Sequence, residues 1–314
     1  MTSWGPDIFE HYESATIDLD DEDDGELVAT LVRRLVPGGT SKCVIYVHGY
    51  SDYFFQQHLA DSYLERGYDF YAVDRRRCGR SLRHGNRDDY IDDVADYSDE
   101  LALAVKVAVE DDGHEHVVLH GHSMGGLISA VFAAKHPMGR HIDLLALNSP
   151  WLDVKLPFVQ QLVWKITKYV GRFFRHRPIA SGPSAYVDSI HADYKGEWHF
   201  DLAWKPRNDT VVYPGWARAV ARAHDQVKAG LDISCPVLVQ HSDRSTNNDT
   251  WHDDLLVTDS VLDVDQIHAR GPRLGSNVDI HVIANGMHDL VLSRREVRSE
   301  MLDRLHVWLD EHSR

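Results

Sequence analysis

The sequence predicts an α/β fold with a mostly parallel sheet of eight strands, helices on both of its faces and an inserted helical cap. Short apolar runs rich in β-branched and aromatic residues recur along the chain, and helical stretches separate most of them. The alternation stops between 147 and 236. Strands that alternate with helices are typical of a parallel sheet covered on both faces. A chain of 314 residues is long enough for one such domain with an insertion.

The predicted strands begin with a hairpin. Residues 15–19 and 27–35 form its arms, and the acidic run 20–24 lies between them. We interpret that run as a solvated turn and not as a cation site, because it joins two strand-like runs and is followed by glycine. Six further strands are predicted at 43–47, 69–73, 117–120, 144–147, 236–240 and 279–283. Helices are expected at about 91–110, from 123 onward and at 294–311.

Residues 151–230 interrupt the alternation and are rich in tryptophan, with prolines between the helical stretches. We therefore predict a core made of 1–150 and 231–314, and a helical cap made of 151–230. Within the cap, 162–177 interleaves apolar residues with lysine and arginine. This pattern fits an amphipathic helix lying on lipid or an ordinary cap helix with a solvated basic edge, and we favour the second.

Composition excludes some classes of function and partner. The formal charge of −16 disfavours nucleic acid, because phosphate binding needs clustered lysine and arginine. No run of eighteen apolar residues occurs, so the sequence predicts no membrane-spanning helix. The first residues lack the basic start and apolar run of a secretory signal. Three scattered cysteines (Cys43, Cys78 and Cys235) indicate reduced thiols, and we expect a cytoplasmic protein without metal or cofactor.

The motif Gly121-His122-Ser123-Met124-Gly125-Gly126 matches G-x-S-x-G and lies between a predicted strand and a predicted helix. That context is the one in which the motif forms a nucleophile elbow. The sharp turn strains the serine backbone, so Gly121 and Gly125 must be small. The sequence therefore predicts Ser123 as a nucleophile.

Two backbone N–H groups are predicted to stabilise the oxyanion that forms when Ser123 attacks a carbonyl. One is the N–H of Met124, directly after the nucleophile. The other is the N–H of Tyr50, because His48-Gly49-Tyr50 follows an earlier strand at the position where this second donor usually lies.

The general base is predicted to be His288. It follows the last strand within Asn285-Gly286-Met287-His288-Asp289, and in this type of fold the order along the chain is serine, acid, histidine. The acidic partner of His288 has two candidates. Asp243 directly follows the strand 236–240, whereas Asp259 begins a D-x-V-L turn before a helix-like stretch. We favour Asp259 and keep Asp243 as the runner-up, in which case 242–257 is a loop that borders the site.

With these motifs in order, the chain resembles the α/β-hydrolase superfamily, and within it the monoacylglycerol lipase and lysophospholipase-like branch, also described as serine aminopeptidase-like. The matching segments are His48-Gly49, 74–81, the elbow, Asp259-x-Val261 and Gly286-x-His288. The resemblance implies a hydrolase of small-molecule esters in which the cap shapes the pocket. The aromatic residues of the cap suggest a hydrophobic or aromatic moiety in the substrate.

Two segments depart from the family pattern. Arg77 replaces the first glycine of D-x-x-G-x-G-x-S, and three successive arginines from Arg75 to Arg77 near the cleft could favour an anionic substrate group. Ser245 stands where the aspartate of H-G-x-x-D is expected. This second departure is why the acid stays open between Asp259 and Asp243.

Three alternatives use the same residues. An aminopeptidase would need an acidic patch for the substrate amine, for which Glu197, Asp201 and Asp209 are candidates. A perhydrolase or a C–C bond hydrolase would use the same three residues with another pocket. A non-catalytic ligand-binding homologue is disfavoured, because nucleophile, base and oxyanion loop are all present. The oligomeric state cannot be predicted from the sequence.

Overall fold

The computed structural model describes residues 2–154, 173–180, 182–207 and 211–313. Within them, the strands are β1 Gly5–Pro6, β2 Glu13–Asp18, β3 Val28–Arg34, β4 Lys42–Val47, β5 Asp69–Asp74, β6 His116–His122, β7 Leu144–Asn148, β8 Ile179–Ala180, β9 Val211–Val212, β10 Val237–Ser242 and β11 Val278–Ile283. The α-helices are α1 Gln57–Leu64, α2 Ser98–Lys106, α3 Met124–Lys135, α4 Tyr186–Ile190, α5 Pro214–Ala229, α6 Val264–Arg270 and α7 Arg295–His312.

The main sheet has nine strands in the order β1-β2-β3-β5-β4-β6-β7-β10-β11. The pairs β1–β2, β2–β3 and β3–β5 are antiparallel, and the pairs from β5 to β11 are parallel. All eight predicted strands are confirmed. The ninth is the edge strand β1, and a two-residue strand is too short to give a periodic pattern.

Alternate residues of the central strands pack into two cores, one on each face of the sheet. In β4, Cys43, Ile45 and Val47 belong to the cluster that includes residues of α2, α3 and α5. Val44 and Tyr46 belong to the cluster that includes residues of α1 and α7. A strand that is buried on both faces reads as a continuous apolar run, which is the pattern seen at 43–47.

The helix expected at 91–110 is shorter and is flanked by other helical turns. Its first turn is the 3₁₀-helix Val94–Tyr97, and α2 then continues into the π-helical turn Val107–Asp111. Asp93 begins the segment, because its side chain accepts a hydrogen bond from the backbone N–H of Ala95.

The described parts of 151–230 contain the antiparallel ribbon β8–β9 and the helices α4 and α5. In α5, Val220, Ala223 and Val227 pack into the same core cluster as α2 and α3. Most of the basic stretch 162–177 lies outside the described residues, and the division into core and cap stays a prediction. In the part of the chain described here, no helix is both long and apolar enough to cross a membrane.

None of the three cysteines is in a disulfide. Burial raises the pKa of the Cys43 thiol, and it raises the pKa of Cys235 to about 11. The expected reduced thiols are therefore weak nucleophiles at neutral pH.

Candidate active site

Ser123 lies at a sharp turn between β6 and α3. Its backbone angles are φ 52° and ψ −117°, a conformation that is costly for a residue with a side chain. A Cβ on Gly121 would come within 2.7 Å of the carbonyl oxygen of Gly125, and a Cβ on Gly125 within 2.2 Å of the carbonyl oxygen of Val47. A side chain at either position would therefore collide with backbone atoms beside the strained serine.

Ser123, His288 and Asp259 form a continuous hydrogen-bonded chain. The Oγ of Ser123 lies 3.0 Å from Nε2 of His288, and Nδ1 of His288 lies 3.0 Å from Oδ2 of Asp259. A carboxylate can only accept, so Nδ1 carries the ring proton and donates a hydrogen bond to Asp259. Nε2 is then free to accept the hydrogen bond from the serine hydroxyl.

Asp259 is fully buried in a turn that holds its carboxylate in place. Its Oδ1 accepts hydrogen bonds from the backbone N–H groups of Val261 and Leu262, at 2.9 and 2.7 Å. These donors leave Oδ2 for His288, so the D-x-V-L turn orients the carboxylate toward the imidazole.

The runner-up acid, Asp243, does not contact His288. Its Oδ1 accepts a hydrogen bond from the backbone N–H of Asn285, and its Oδ2 accepts one from Arg244. Asp243 therefore ties the end of β10 to the loop that carries His288. Asn248, in the predicted loop 242–257, lines the cavity described below.

The loop after β4 lies against Ser123. A Cβ on Gly49 would come within 3.2 Å of the Cβ of Ser123, a contact tight enough that a neighbouring atom would have to shift by a few tenths of an ångström. Among the described residues, none accepts a hydrogen bond from the backbone N–H of Tyr50 or Met124. The side chain of Tyr50 points to the inserted segment, where its hydroxyl donates to the carbonyl oxygen of Val211 and its ring packs on Trp216.

A cavity of about 330 Å³ opens onto Ser123 and His288. The aromatic residues in its wall are Tyr50, Trp151, Tyr186 and Trp216. Its wall also contains a buried ion pair, in which Nζ of Lys205 lies 3.0 Å from Oδ1 of Asp52. A mostly apolar wall with a few polar groups is typical of small-molecule sites.

A further buried carboxylate, Asp289, directly follows His288 in the chain, and the sequence analysis gives it no role. Asp289 accepts hydrogen bonds from Asn148 at 2.7 Å and from Gln56 at 3.2 Å, and Nε2 of His122 lies 3.9 Å away. Burial alone would raise the pKa of Asp289, but His122, Asn148 and Lys205 outweigh it and lower that pKa. Burial lowers the pKa of His122. The only signal in the sequence was adjacency to His288, because the partners of Asp289 come from distant segments.

The three successive arginines do not serve an anionic substrate group, which corrects the sequence analysis. Each is buried and ion-paired, Arg75 with Asp89, Arg76 with Glu100 and Arg77 with Asp24. None of the three lines the cavity.

Arg77 has φ 62°, which lies in the left-handed region that favours glycine. This backbone conformation explains why the family pattern D-x-x-G-x-G-x-S has glycine at this position. Its ion pairs with Asp24 and Glu22, and a hydrogen bond to the carbonyl oxygen of Tyr90, hold it in this strained conformation.

The acidic run does form a turn, with Glu22 and Gly25 paired across it, but it is not fully solvated. The side chain of Asp24 is almost fully buried against Arg77, and it accepts a hydrogen bond from the backbone N–H of Arg87. The ligand atoms of Glu22, Asp23 and Asp24 lie within 4.8 Å of one another, the arrangement that a cation would need. Arg77 and Arg87 pair with these carboxylates and offset two of their three negative charges.

The acidic patch considered for an aminopeptidase is absent from the described wall of the cavity. Neither Glu197 nor Asp201 lines it, and Asp209 lies outside the described residues. Three aspartates do line the described wall. Asp52 pairs with Lys205, Asp153 pairs with Lys228 and Arg270, and Asp263 accepts a hydrogen bond from the backbone N–H of Gln266.

The chain matches a known protein family and is similar to curated relatives. Residues 38–294 match a family model described as "Serine aminopeptidase, S33". The chain is 24% identical over 279 residues to a monoacylglycerol lipase of Mycolicibacterium smegmatis, covering 86% of this chain and 88% of that protein. It is 25% identical over 215 residues to lysophospholipase L2 of Escherichia coli K12, covering 62% of this chain and 61% of that protein.

Among solved structures, a soluble variant of monoglyceride lipase from Saccharomyces cerevisiae superposes with a TM-score of 0.70. The two chains are 16% identical, and the match covers 95% of this chain and 96% of the yeast chain. At that identity the likeness shows the fold alone.

Proposed function

Because the chain belongs to the serine aminopeptidase family of α/β hydrolases, we propose that it cleaves carboxylic esters through an acyl-enzyme on Ser123. One observation carries the proposal. The hydroxyl of Ser123 lies within hydrogen-bond distance of a buried imidazole whose other nitrogen is held by a buried carboxylate. This is the arrangement that activates a serine for attack on a carbonyl.

The first step forms the acyl-enzyme. His288 Nε2 takes the hydroxyl proton as Ser123 Oγ bonds to the ester carbonyl carbon, and the carbonyl oxygen becomes the oxyanion. Asp259 stabilises the resulting imidazolium and keeps the ring oriented. The N–H groups of Tyr50 and Met124 donate to the oxyanion. The bond to the alcohol then breaks, and His288 returns its proton to the leaving oxygen.

The second step releases the acid. His288 removes a proton from a water molecule, whose oxygen bonds to the acyl carbon and forms a second oxyanion. When this intermediate collapses, the bond to Ser123 Oγ breaks and His288 protonates the serine. The sum of the steps is one ester plus one water to one acid plus one alcohol, so these residues can complete the cycle without a cofactor.

We propose a lipid-type monoester as the substrate, with a hydrophobic acyl or alcohol part. The names of the two relatives, a monoacylglycerol lipase and a lysophospholipase, support this class. The aromatic side chains of Trp151, Tyr186 and Trp216 supply an apolar wall for such a group. The predicted cap, 151–230, contributes these three side chains, and we propose that it shapes the pocket.

The test is hydrolysis of p-nitrophenyl esters from acetate to palmitate by the wild type and by Ser123→Ala. We expect turnover by the wild type with an optimum above acetate, and loss of turnover in Ser123→Ala. A fluorophosphonate probe should label the wild type at Ser123 and leave the variant unlabelled. Wild-type protein that neither labels nor cleaves any ester would overturn the proposal. Labelling without ester cleavage would direct the search to amino-acid amides.

A further inference from the structure

We propose that Arg75 is a positioning residue for the oxyanion hole. Its guanidinium aligns and polarises the peptide group between Gly49 and Tyr50, whose N–H faces the developing oxyanion. This inference rests on the proposed ester hydrolysis and assigns a role that the sequence analysis did not give to this arginine.

Arg75 directly follows β5 and is completely buried under the loop that follows β4. Its Nη2 donates a hydrogen bond of 2.7 Å to the carbonyl oxygen of Gly49. The same nitrogen lies 3.3 Å from Oδ1 of Asp89, the carboxylate that balances its charge. The guanidinium therefore lies between the backbone of the loop and a buried counter-ion.

The carbonyl oxygen of Gly49 and the N–H of Tyr50 belong to one planar peptide group. A cation that donates to the oxygen draws electron density away from the nitrogen, so the N–H becomes a stronger donor. Because the peptide is planar, fixing the direction of the oxygen also fixes the direction of the N–H. Both effects favour the charge that forms only in the transition state.

His48 supplies a second donor to the same oxygen. Its Nε2 accepts a hydrogen bond from the backbone N–H of Arg75 at 3.2 Å, so the ring proton is on Nδ1. That Nδ1 donates to the carbonyl oxygen of Gly49 at 2.9 Å. Burial, followed by the nearby charge of Arg75, holds the pKa of His48 well below its usual value and keeps the ring neutral.

Asp89 fixes the other side of Tyr50. Its second oxygen, Oδ2, accepts a hydrogen bond of 2.9 Å from the backbone N–H of Ser51, a residue held at φ 49°. The pair formed by Arg75 and Asp89 thus holds the peptide groups on both sides of Tyr50. This ion pair sets the geometry of the loop as well as balancing charge.

The guanidinium itself is incompletely satisfied. Its Nε and Nη1 are buried and have no hydrogen-bond partner among the described residues, and the ring of Tyr97 lies 4.5 Å from its central carbon. Buried donors without acceptors are costly and rare in proteins. An arginine retained for stability alone would be expected to have all its donors paired. The shortest hydrogen bond of Arg75 instead goes to the carbonyl oxygen of Gly49, in the loop after β4.

The neighbouring Arg76 provides a matched control. It too is buried, and its guanidinium is paired with Glu100 and Asp99. None of its hydrogen bonds reaches the oxyanion loop. Arg75→Met and Arg76→Met therefore remove the same kind of group from the same turn, and the proposal gives only Arg75 a link to the N–H of Tyr50.

The experiment compares these two variants with the wild type in p-nitrophenyl ester hydrolysis and in binding of an alkyl trifluoromethyl ketone. That ketone adds to Ser123 and places an oxyanion in the hole. For Arg75→Met we expect kcat and ketone affinity to fall by about tenfold to a hundredfold, with KM within about twofold. For Arg76→Met we expect ketone affinity within about twofold of the wild type. Equal losses in the two variants, or unchanged ketone affinity in Arg75→Met, would overturn the proposal.

If Arg75→Met does not fold, Arg75→Lys carries the test. A lysine ammonium is a point charge on a flexible side chain, and it lacks the planar guanidinium that fixes Nη2 between Gly49 and Asp89. We expect about a tenfold loss of ketone affinity, and wild-type affinity would overturn the proposal. Failure of the proposed function is distinguishable, because the wild type itself would then neither hydrolyse the esters nor bind the ketone.

Discussion

Oδ2 of Asp259 lies 3.0 Å from Nδ1 of His288, a residue 29 positions further along the chain. Asp243, which directly follows β10, instead holds the loop in which His288 lies through the backbone N–H of Asn285. Two aspartates therefore support one histidine in different ways. One contacts the imidazole, and the other fixes the backbone that carries it.

Asp259→Asn should lower kcat for p-nitrophenyl ester hydrolysis by roughly 10³- to 10⁴-fold. The amide keeps the size of the side chain but removes the charge that stabilises the imidazolium, and its NH₂ group disfavours the productive tautomer. Asp243→Asn is the matched control and should lose less than about tenfold, because an amide oxygen can still accept from Asn285. A larger loss in Asp243→Asn than in Asp259→Asn would reverse the assignment of the acid.

Gly125→Ala should destabilise the fold by about 3 kcal/mol, the range expected when a core is overpacked. The new Cβ would lie 2.2 Å from the carbonyl oxygen of Val47 and 2.4 Å from that of His48, and both atoms are backbone. Urea unfolding measures the effect. Gly5→Ala is the control, since nothing lies within 4 Å of its added Cβ. Similar unfolding midpoints for the two variants would contradict this reading of the elbow.

Lys205→Met should lower the free energy of unfolding by about 3 kcal/mol, because it leaves Asp52 buried without its cation. The double variant Lys205→Met/Asp52→Asn should recover at least about 1 kcal/mol of that loss, since the uncompensated charge is gone. Asparagine keeps an acceptor for the backbone N–H of Tyr53, which Asp52 accepts in the wild type. Strictly additive losses in urea unfolding would show that the two side chains are not coupled.

Stability should fall as the pH drops from 7 to 5. Burial lowers the pKa of His120 to about 3, and burial lowers the pKa of His224 and of His306 to about 4. Below about pH 6.5 these three histidines bind protons in the unfolded chain but stay neutral in the folded protein. Each histidine therefore lowers the free energy of unfolding by up to about 1.4 kcal/mol for each unit by which the pH falls, until the pH reaches its pKa in the folded protein.

Urea unfolding at several pH values measures this slope. His224→Gln is the informative variant, since His224 lies with Nε2 3.0 Å from the carbonyl oxygen of Trp151 and glutamine can still donate there. In His224→Gln the free energy of unfolding should fall less steeply with decreasing pH than in the wild type, by about 1.4 kcal/mol per pH unit. An unchanged slope would mean that His224 is protonated in the folded state.

The strands and the elbow could be predicted from the sequence because their signals are local. A strand such as β4 gives a continuous apolar run. Gly121 and Gly125 are glycines because backbone atoms lie too close to leave room for a side chain. The acid stayed open between Asp243 and Asp259, because both follow the same strand. Only the path of the intervening loop, which no local pattern describes, decides which carboxylate reaches His288.

The arginines of the turn after β5 were misread for a similar reason. A run of three cations suggests an anion, but Arg77 is neutralised by Asp24, 53 residues away, and Arg75 by Asp89. The same long-range pairing explains why the acidic run is not wholly solvated. Counter-ions supplied by the fold itself are invisible in a single sequence.

The topology divides the candidate site residues between two segments of the chain. Ser123 and the oxyanion loop precede β7, whereas Asp259 and His288 follow β10, and β7 and β10 are paired side by side in the sheet. A break in the backbone anywhere between these two strands would yield one fragment with Ser123 and another with Asp259 and His288. Under the proposed mechanism neither fragment alone turns over an ester, so restored activity would signal that the two fragments had reassembled. The fold thus contains the design of a split reporter.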